Sequence, residues 1–282
     1  MPSMPDATPA VSAAPAGPTE PAAPAEPVGS TSLVPVIVPP ALPVAERVAL
    51  GQAAPGIEEL FLFAREAELR VRTLRMTIEE RLETARGEER RRHEIWLRHP
   101  GQARVTTRRD EGSLSRDYEV WLLGDDTVTT YMAARNVASR RPLARHVVGV
   151  DDPDLPPFAR QREPLTALPT GSLADTFVHP HGLFRNVLVT GPLAVVGSRS
   201  VGGREAILVR SEHPRASKVL VDRPDRSIEA GIDRQFGFLL MLSETIADRV
   251  TRHAEVTELA IDPAVPSSVF DLRLPASVRM LY

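Results

Sequence analysis

The chain has 282 residues, a net charge of −3 and a pI of about 6.2, which argues against nucleic acid or an acidic membrane as its main partner. It contains no cysteine, so disulfides, thiolate metal sites, thiol nucleophiles and a lipid-modified N-terminal cysteine are excluded. Hydrophobic residues make up 42% and aromatics only 5%, so aliphatic side chains must fill the core.

Residues 1–52 form an Ala/Pro tail with twelve prolines between Pro2 and Pro43. Proline removes backbone donors and alanine offers little area to bury, so the segment is expected to stay extended and mobile. Leu33-Val34-Pro35-Val36-Ile37-Val38 within it also suits a docking segment for a partner. No stretch of the chain approaches the roughly 18 apolar residues of an integral membrane span. Residues 1–32 hold no Lys or Arg for the n-region of a signal peptide. As written, the chain is expected in the cytoplasm; a different start site would place it in the periplasm or another extracytoplasmic space. Residues 53–282 are expected to form the folded domain.

Gly56 to Arg72 reads as a helix, with Ile57, Leu60, Phe61, Ala64 and Val71 at helical spacing and Glu58 and Glu59 in the first turn. Leu62 and Phe63 widen its apolar arc, as in an enclosed helix. Strands follow. Leu74, Met76, Ile78 and Leu82 alternate with Arg75, Thr77, Glu79 and Arg81. His93–Arg98, Ala103–Arg109 and the hairpin Tyr118–Leu123/Thr127–Met132 continue the pattern. The charged run Glu88–Arg92 suits a solvated strand edge that discourages edge-to-edge pairing. Residues 133–171, with six prolines, read as a long loop, a length usually functional or disordered. Ser172 is suited to cap a short helix through Phe177, and Pro180 to start another through Val189. Leu193–Ser198 and Ala206–Arg210 flank the turn Gly202-Gly203.

The last strands are Ser227–Ile232, Phe238–Glu244, His253–Ile261 and Val269–Leu274, separated by tight turns. Phe238 to Leu242 is apolar on both faces and must be covered on both sides. The residues therefore describe an α+β architecture: one long antiparallel sheet, an early enclosed helix and short helices inserted mid-chain. About ten strands suffice to make such a sheet curl strongly and leave a hollow.

Catalytic and metal chemistry have little to stand on. His179-Pro180-His181 gives two imidazoles without carboxylate or cysteine company and reads as helix-start geometry; a third ligand would have to come from His146 or Asp175. No Gly-x-Ser-x-Gly elbow occurs. Asp151-Asp152-Pro153-Asp154 lacks the glycine and distal glutamate of a calcium loop and reads as a solvated acidic loop. The chain is expected to be no enzyme and to need no cofactor. Trp96 and Trp121 suit sheet packing.

Several stretches together resemble the lipoprotein carriers LolA and LolB and the N-terminal domain of the sigma-factor regulator RseB. Ile95-Trp96-Leu97-Arg98-His99-Pro100 is similar to a strand ending in an aromatic, a basic pair and proline. The hairpin Tyr118 to Tyr131, the helix at His179-Pro180-His181-Gly182-Leu183-Phe184, the Gly202-Gly203-Arg204 turn and the closing strands from Glu255 to Pro275 add to the likeness. The resemblance spans about residues 57–275. It implies an unclosed antiparallel half β-barrel with helices packed in its concave face. It also implies a hollow that binds a lipid, an acyl chain or another apolar ligand, or else a regulatory module that senses a lipoprotein or regulatory protein partner. In the carriers an arginine before the strand-ending proline is implicated in ligand handling; here that place is taken by His99, with Arg98 before it. The candidate ligand-binding residues are accordingly Trp96, Arg98, His99, Phe61, Leu183, Phe184, Phe238 and Leu240.

Overall fold

Alternating apolar and charged residues between Thr73 and Arg109 build the centre of the molecule, a run of three long antiparallel strands. The computed structural model describes residues 49–51, 53–109, 117–144, 163–214 and 225–281. Strands β1 (Thr73–Thr84), β2 (Gly87–Arg98) and β3 (Gln102–Arg109) meander into β4 (Tyr118–Gly124), β5 (Thr127–Met132) and β6 (Val137–Pro142). On the other side of β1 lie β11 (Arg249–Ile261), β10 (Leu239–Ile246), β9 (Arg226–Asp233), β8 (Arg204–Glu212) and β7 (Leu193–Val201). A three-residue strand β12 (Arg279–Leu281) pairs in parallel with β6; every other pairing is antiparallel. The sheet has twelve strands among the described residues and runs from β12 to β7 without closing. It is the α+β half-barrel expected from the sequence.

Register puts the alternation to use. Leu74, Leu97, Ala103 and Leu123 stand opposite one another across four strands, and Met76, Ile95 and Val105 form the next row. All seven are buried. Further along the same face the rows turn polar: Ile78 faces His93, and His93 faces Thr107. Glu80, the next residue of β1 on that face, lies opposite Arg91.

Three short helices cover the apolar part of this face: α1 (Ile57–Arg65), α2 (Leu173–Val178) and α3 (His181–Asn186). Ser172 caps α2 as expected, its hydroxyl accepting the Asp175 N–H at 3.1 Å. Phe238 to Leu242 is buried throughout, in keeping with a strand covered on both sides. All the described residues fall in one compact unit. Leu50 joins it: its N–H donates to the Arg234 carbonyl at 3.2 Å and its side chain packs on the core.

Several sequence expectations change. The first helix ends at Arg65, not Arg72, and gives way to a 3-10 turn at Ala67–Arg70. There Arg70 turns back to donate to the Phe63 carbonyl at 2.6 Å, and Val71 is already extended, leading into β1. Val137–Pro142 is a strand, where a loop was expected. Val269–Leu274 is not one: Ser267–Phe270 is a 3-10 turn, and no strand follows until Arg279. This segment crosses the outer face of the sheet, where Leu272, Leu274 and Val278 pack on Val120, Tyr131 and Ala138. Glu88–Arg92 does not protect an edge, because β2 pairs along its length with β1 and over much of it with β3. The tail as far as Val48, with its docking segment, and the acidic run Asp151–Asp154, with His146, lie outside the described residues.

Candidate functional site

The hollow of the sheet is occupied by the chain itself. Leu60, Phe61 and Ala64 of α1 and Phe184 of α3 are at most 1% exposed, and the Phe61 and Phe184 rings stack with centroids 4.2 Å apart at an interplanar angle of 8°. Phe177 of α2, and Phe238 and Leu240 at the start of β10, are equally buried, and Leu183 is half-buried against the same core. Five of the eight candidate residues thus belong to the interior shared by the helices and the sheet: Phe61, Leu183, Phe184, Phe238 and Leu240.

The β9–β10 turn seats α1. Gly237, at φ +86°, lies so close to the helix that a Cβ would come within 2.8 Å of the Phe63 carbonyl oxygen and 3.0 Å of the Ala64 Cα. Both contacts are with backbone, so neither can yield cheaply. Gly237→Ala is expected to lower stability by about 2 kcal/mol through left-handed strain and displacement of α1. Urea unfolding at neutral pH checks it.

Beside the apolar plug sits a buried polar cluster built from four separate segments. His99 follows β2, Glu68 belongs to the turn after α1, Thr166 precedes α2, and His179 follows it. The Glu68 carboxylate accepts the Leu165 N–H at 2.8 Å and lies 3.4 Å from His179 Nε2. His179 Nδ1 donates to Asp175 Oδ1 at 3.0 Å. His99 Nδ1 is 2.8 Å from the Thr166 hydroxyl, which also accepts the Gly101 N–H at 2.9 Å. His99 Nε2 is buried without a hydrogen-bond partner.

The two imidazoles are driven apart in charge. Burial pushes His99 down to about 4 against the pull of Glu68, so it is neutral at pH 7. Burial also acts to lower His179, but its hydrogen bond to Asp175 and the Glu68 carboxylate 3.4 Å away outweigh that and raise it to about 9. Burial likewise opposes the Glu68 charge, yet the adjacent His179 imidazolium prevails and holds its carboxyl below the ordinary range. An imidazolium clamped between two carboxylates therefore ties the helix region to the turn before β1.

Trp96 and Arg98 stand on the opposite face of β2. The Arg75 guanidinium lies over the Trp96 ring at 5.0 Å, and the indole N–H donates to Glu94. Arg98 bonds the Val265 carbonyl and lies over Phe270 at 5.1 Å, which fastens the C-terminal crossing. Neither meets His99, whose side chain points the other way, as alternation along a strand dictates. Glu68 and Thr166 were not foreseen. His179 and Asp175 stood out in the sequence only as weak metal candidates; among the described residues no group of three or more His, Cys, Asp or Glu is arranged to hold a metal ion.

No family model matches the sequence, and no curated protein shows a significant match. Solved structures with a similar fold include an uncharacterized conserved protein from Thermus thermophilus at 11% identity and a TM-score of 0.44, covering 78% of this chain and 96% of that one. A chain of the Pseudomonas aeruginosa MucA/MucB complex matches at 16% identity and a TM-score of 0.46, covering 79% of this chain and 63% of that one. The Mycobacterium tuberculosis lipoprotein LppX matches at 10% and 0.40, covering 76% and 99%. These likenesses are in general layout. No described helix is long and apolar enough to cross a membrane.

Proposed function

We propose that the protein is a non-enzymatic binder that takes a lipid acyl chain or another apolar ligand onto the inner face of its half-barrel. The observation that carries this reading is the makeup of the plug. Its helices have nine, six and six residues, too short to be stable alone, and are held by side-chain burial. One apolar cover can therefore be exchanged for another. An acyl chain gains about 0.8 kcal/mol per buried CH₂, so about ten methylenes contribute roughly 8 kcal/mol, enough to offset partial displacement of such helices. Phe61, Leu183, Phe184, Phe238 and Leu240 supply the apolar contacts, and His99 lies at the polar border. Trp96 and Arg98, on the other face, take no part. Residues 53–282, with Leu50 packed on their core, are the binding domain in this reading and the residues before Leu50 an appended tail.

Native mass spectrometry after mild extraction from the producing cell tests it, alongside titration with a fluorescent fatty acid. Copurifying lipid masses and enhanced fluorescence are expected. A clean intact mass together with no enhancement would overturn the reading.

A further inference from the structure

The far ends of β1, β2, β3 and β11 border a second feature, a half-open concavity of about 600 Å³ whose lining includes six arginines. Its volume lies within the usual range for small-molecule sites. Arg81, Arg90, Arg92 and Arg108 occupy strand positions alternating with the buried rows, on the face away from the helices. Their register is unusual. Arg81 stands directly opposite Arg90 on one side and His253 on the other, and Arg92 stands opposite Arg108. Like charges placed across a strand pair are destabilising. Two such arginine pairs around one concavity favour a compensating anion.

The local carboxylates supply only part of it. Glu80 is buried and already bonded to Arg252 at 2.7 Å and His93 at 3.1 Å. Glu255 is bonded to Arg199 at 3.1 Å and lies 3.3 Å from His253. Glu79 approaches Arg92 only at 3.9 Å, while Glu88 and Glu89 serve Arg90 and Arg91. Arg81 and Arg108 have no ion-pair partner among the described residues. On the face away from the helices four lining guanidinium groups, Arg81, Arg90, Arg92 and Arg108, stand against two lining carboxylates, Glu79 and Glu255, the second already bonded to Arg199, which leaves a surplus of positive charge facing the cavity.

We propose that this cavity binds a multivalent phosphate, with Arg81, Arg92 and Arg108 making its principal contacts. Guanidinium forks match phosphate oxygens bidentately, which makes arginine the suited residue for such a ligand. The phosphate comes either from a soluble compound or from a phospholipid headgroup. The site lies apart from the helix-covered face and does not depend on the apolar-ligand reading.

The test is calorimetric titration of the full chain with inorganic pyrophosphate, paired with flotation on phosphatidylcholine vesicles with and without phosphatidic acid. Binding in either arm is expected; pyrophosphate alone points to a soluble phosphate, and phosphatidic acid vesicles alone to a headgroup. The double variant Arg81→Ala/Arg108→Ala should weaken binding at least about tenfold and leave the thermal midpoint unchanged or raised, because like-charge repulsion is relieved. An arginine outside the cavity, Arg210→Ala, should leave binding intact. No binding in either arm would overturn the proposal. So would binding that the double variant leaves unchanged, or a double variant that lowers the midpoint, which would mark these arginines as structural.

Discussion

Replacing Phe61 by Ala is expected to lower stability by about 3–5 kcal/mol while tightening the binding of an acyl chain. The loss follows from complete burial and from the stack on Phe184, which adds about 1 kcal/mol beyond the area removed from water. The gain follows from exchange. When a ligand must displace α1 and α3, a weaker plug raises the population able to bind and so the apparent affinity. A purely structural Phe61 gives the loss without the gain. Phe61→Leu, with a smaller cavity, keeps the comparison possible where the alanine variant is too unstable. Urea unfolding and fatty-acid titration of the same preparations read both effects, and a double cycle with Phe184→Leu reads the coupling.

Stability should peak close to pH 6.5 and fall on both sides, with a different histidine responsible for each limb. His179 is raised to about 9 in the folded chain from an ordinary 6.5. The folded state holds that proton more tightly, so its contribution is complete below pH 6.5 and is lost as pH rises towards 9. His99 is lowered to about 4. The unfolded state then takes up a proton the folded state refuses, and stability present above pH 6.5 is lost as pH falls towards 4. Each limb amounts to about 3 kcal/mol at its full extent. His99→Gln should flatten the acid limb and leave the alkaline one, and His179→Gln the reverse. Measuring the denaturation midpoint from mildly acidic to mildly alkaline pH decides it. An acid limb that persists in His99→Gln assigns it to other groups.

The half-barrel was legible because its evidence is one-sided burial repeated along the chain. Leu74, Met76 and Ile78 show it, and so does the fully apolar Phe238–Leu242. The same signal misled at Phe270, Leu272 and Leu274. Alternation reports which side chains are covered, not whether the backbone is paired; here Pro263, Pro266 and Pro275 withhold donors while Leu272 and Leu274 still pack on the sheet. Strand β6 is hard to see because Val137-Ala138-Ser139-Arg140-Arg141-Pro142 shows no clean alternation, and β12 because three residues carry no period.

The apolar half of the candidate site was legible for a similar reason: Phe61 lies on a helix too apolar for a surface, and Phe184 on the apolar face of the helix that Pro180 starts. Its polar half was not. Glu68 sits in an unremarkable Ala67-Glu68-Leu69-Arg70, and only the arrival of the Leu165 N–H and of His179, about a hundred residues later, makes its burial tolerable. Pairing Arg98 with His99 failed on the simplest rule of a strand, since neighbours point to opposite faces.

Hydrogen exchange of the helices, with and without a fatty acid, is the most direct test of a plug that yields to ligand. Faster exchange is expected in Ile57–Arg65 and His181–Asn186 on binding, with β1, β10 and β11 as protected as before. Fatty acid that binds while both helices stay equally protected, or become more so, would contradict it.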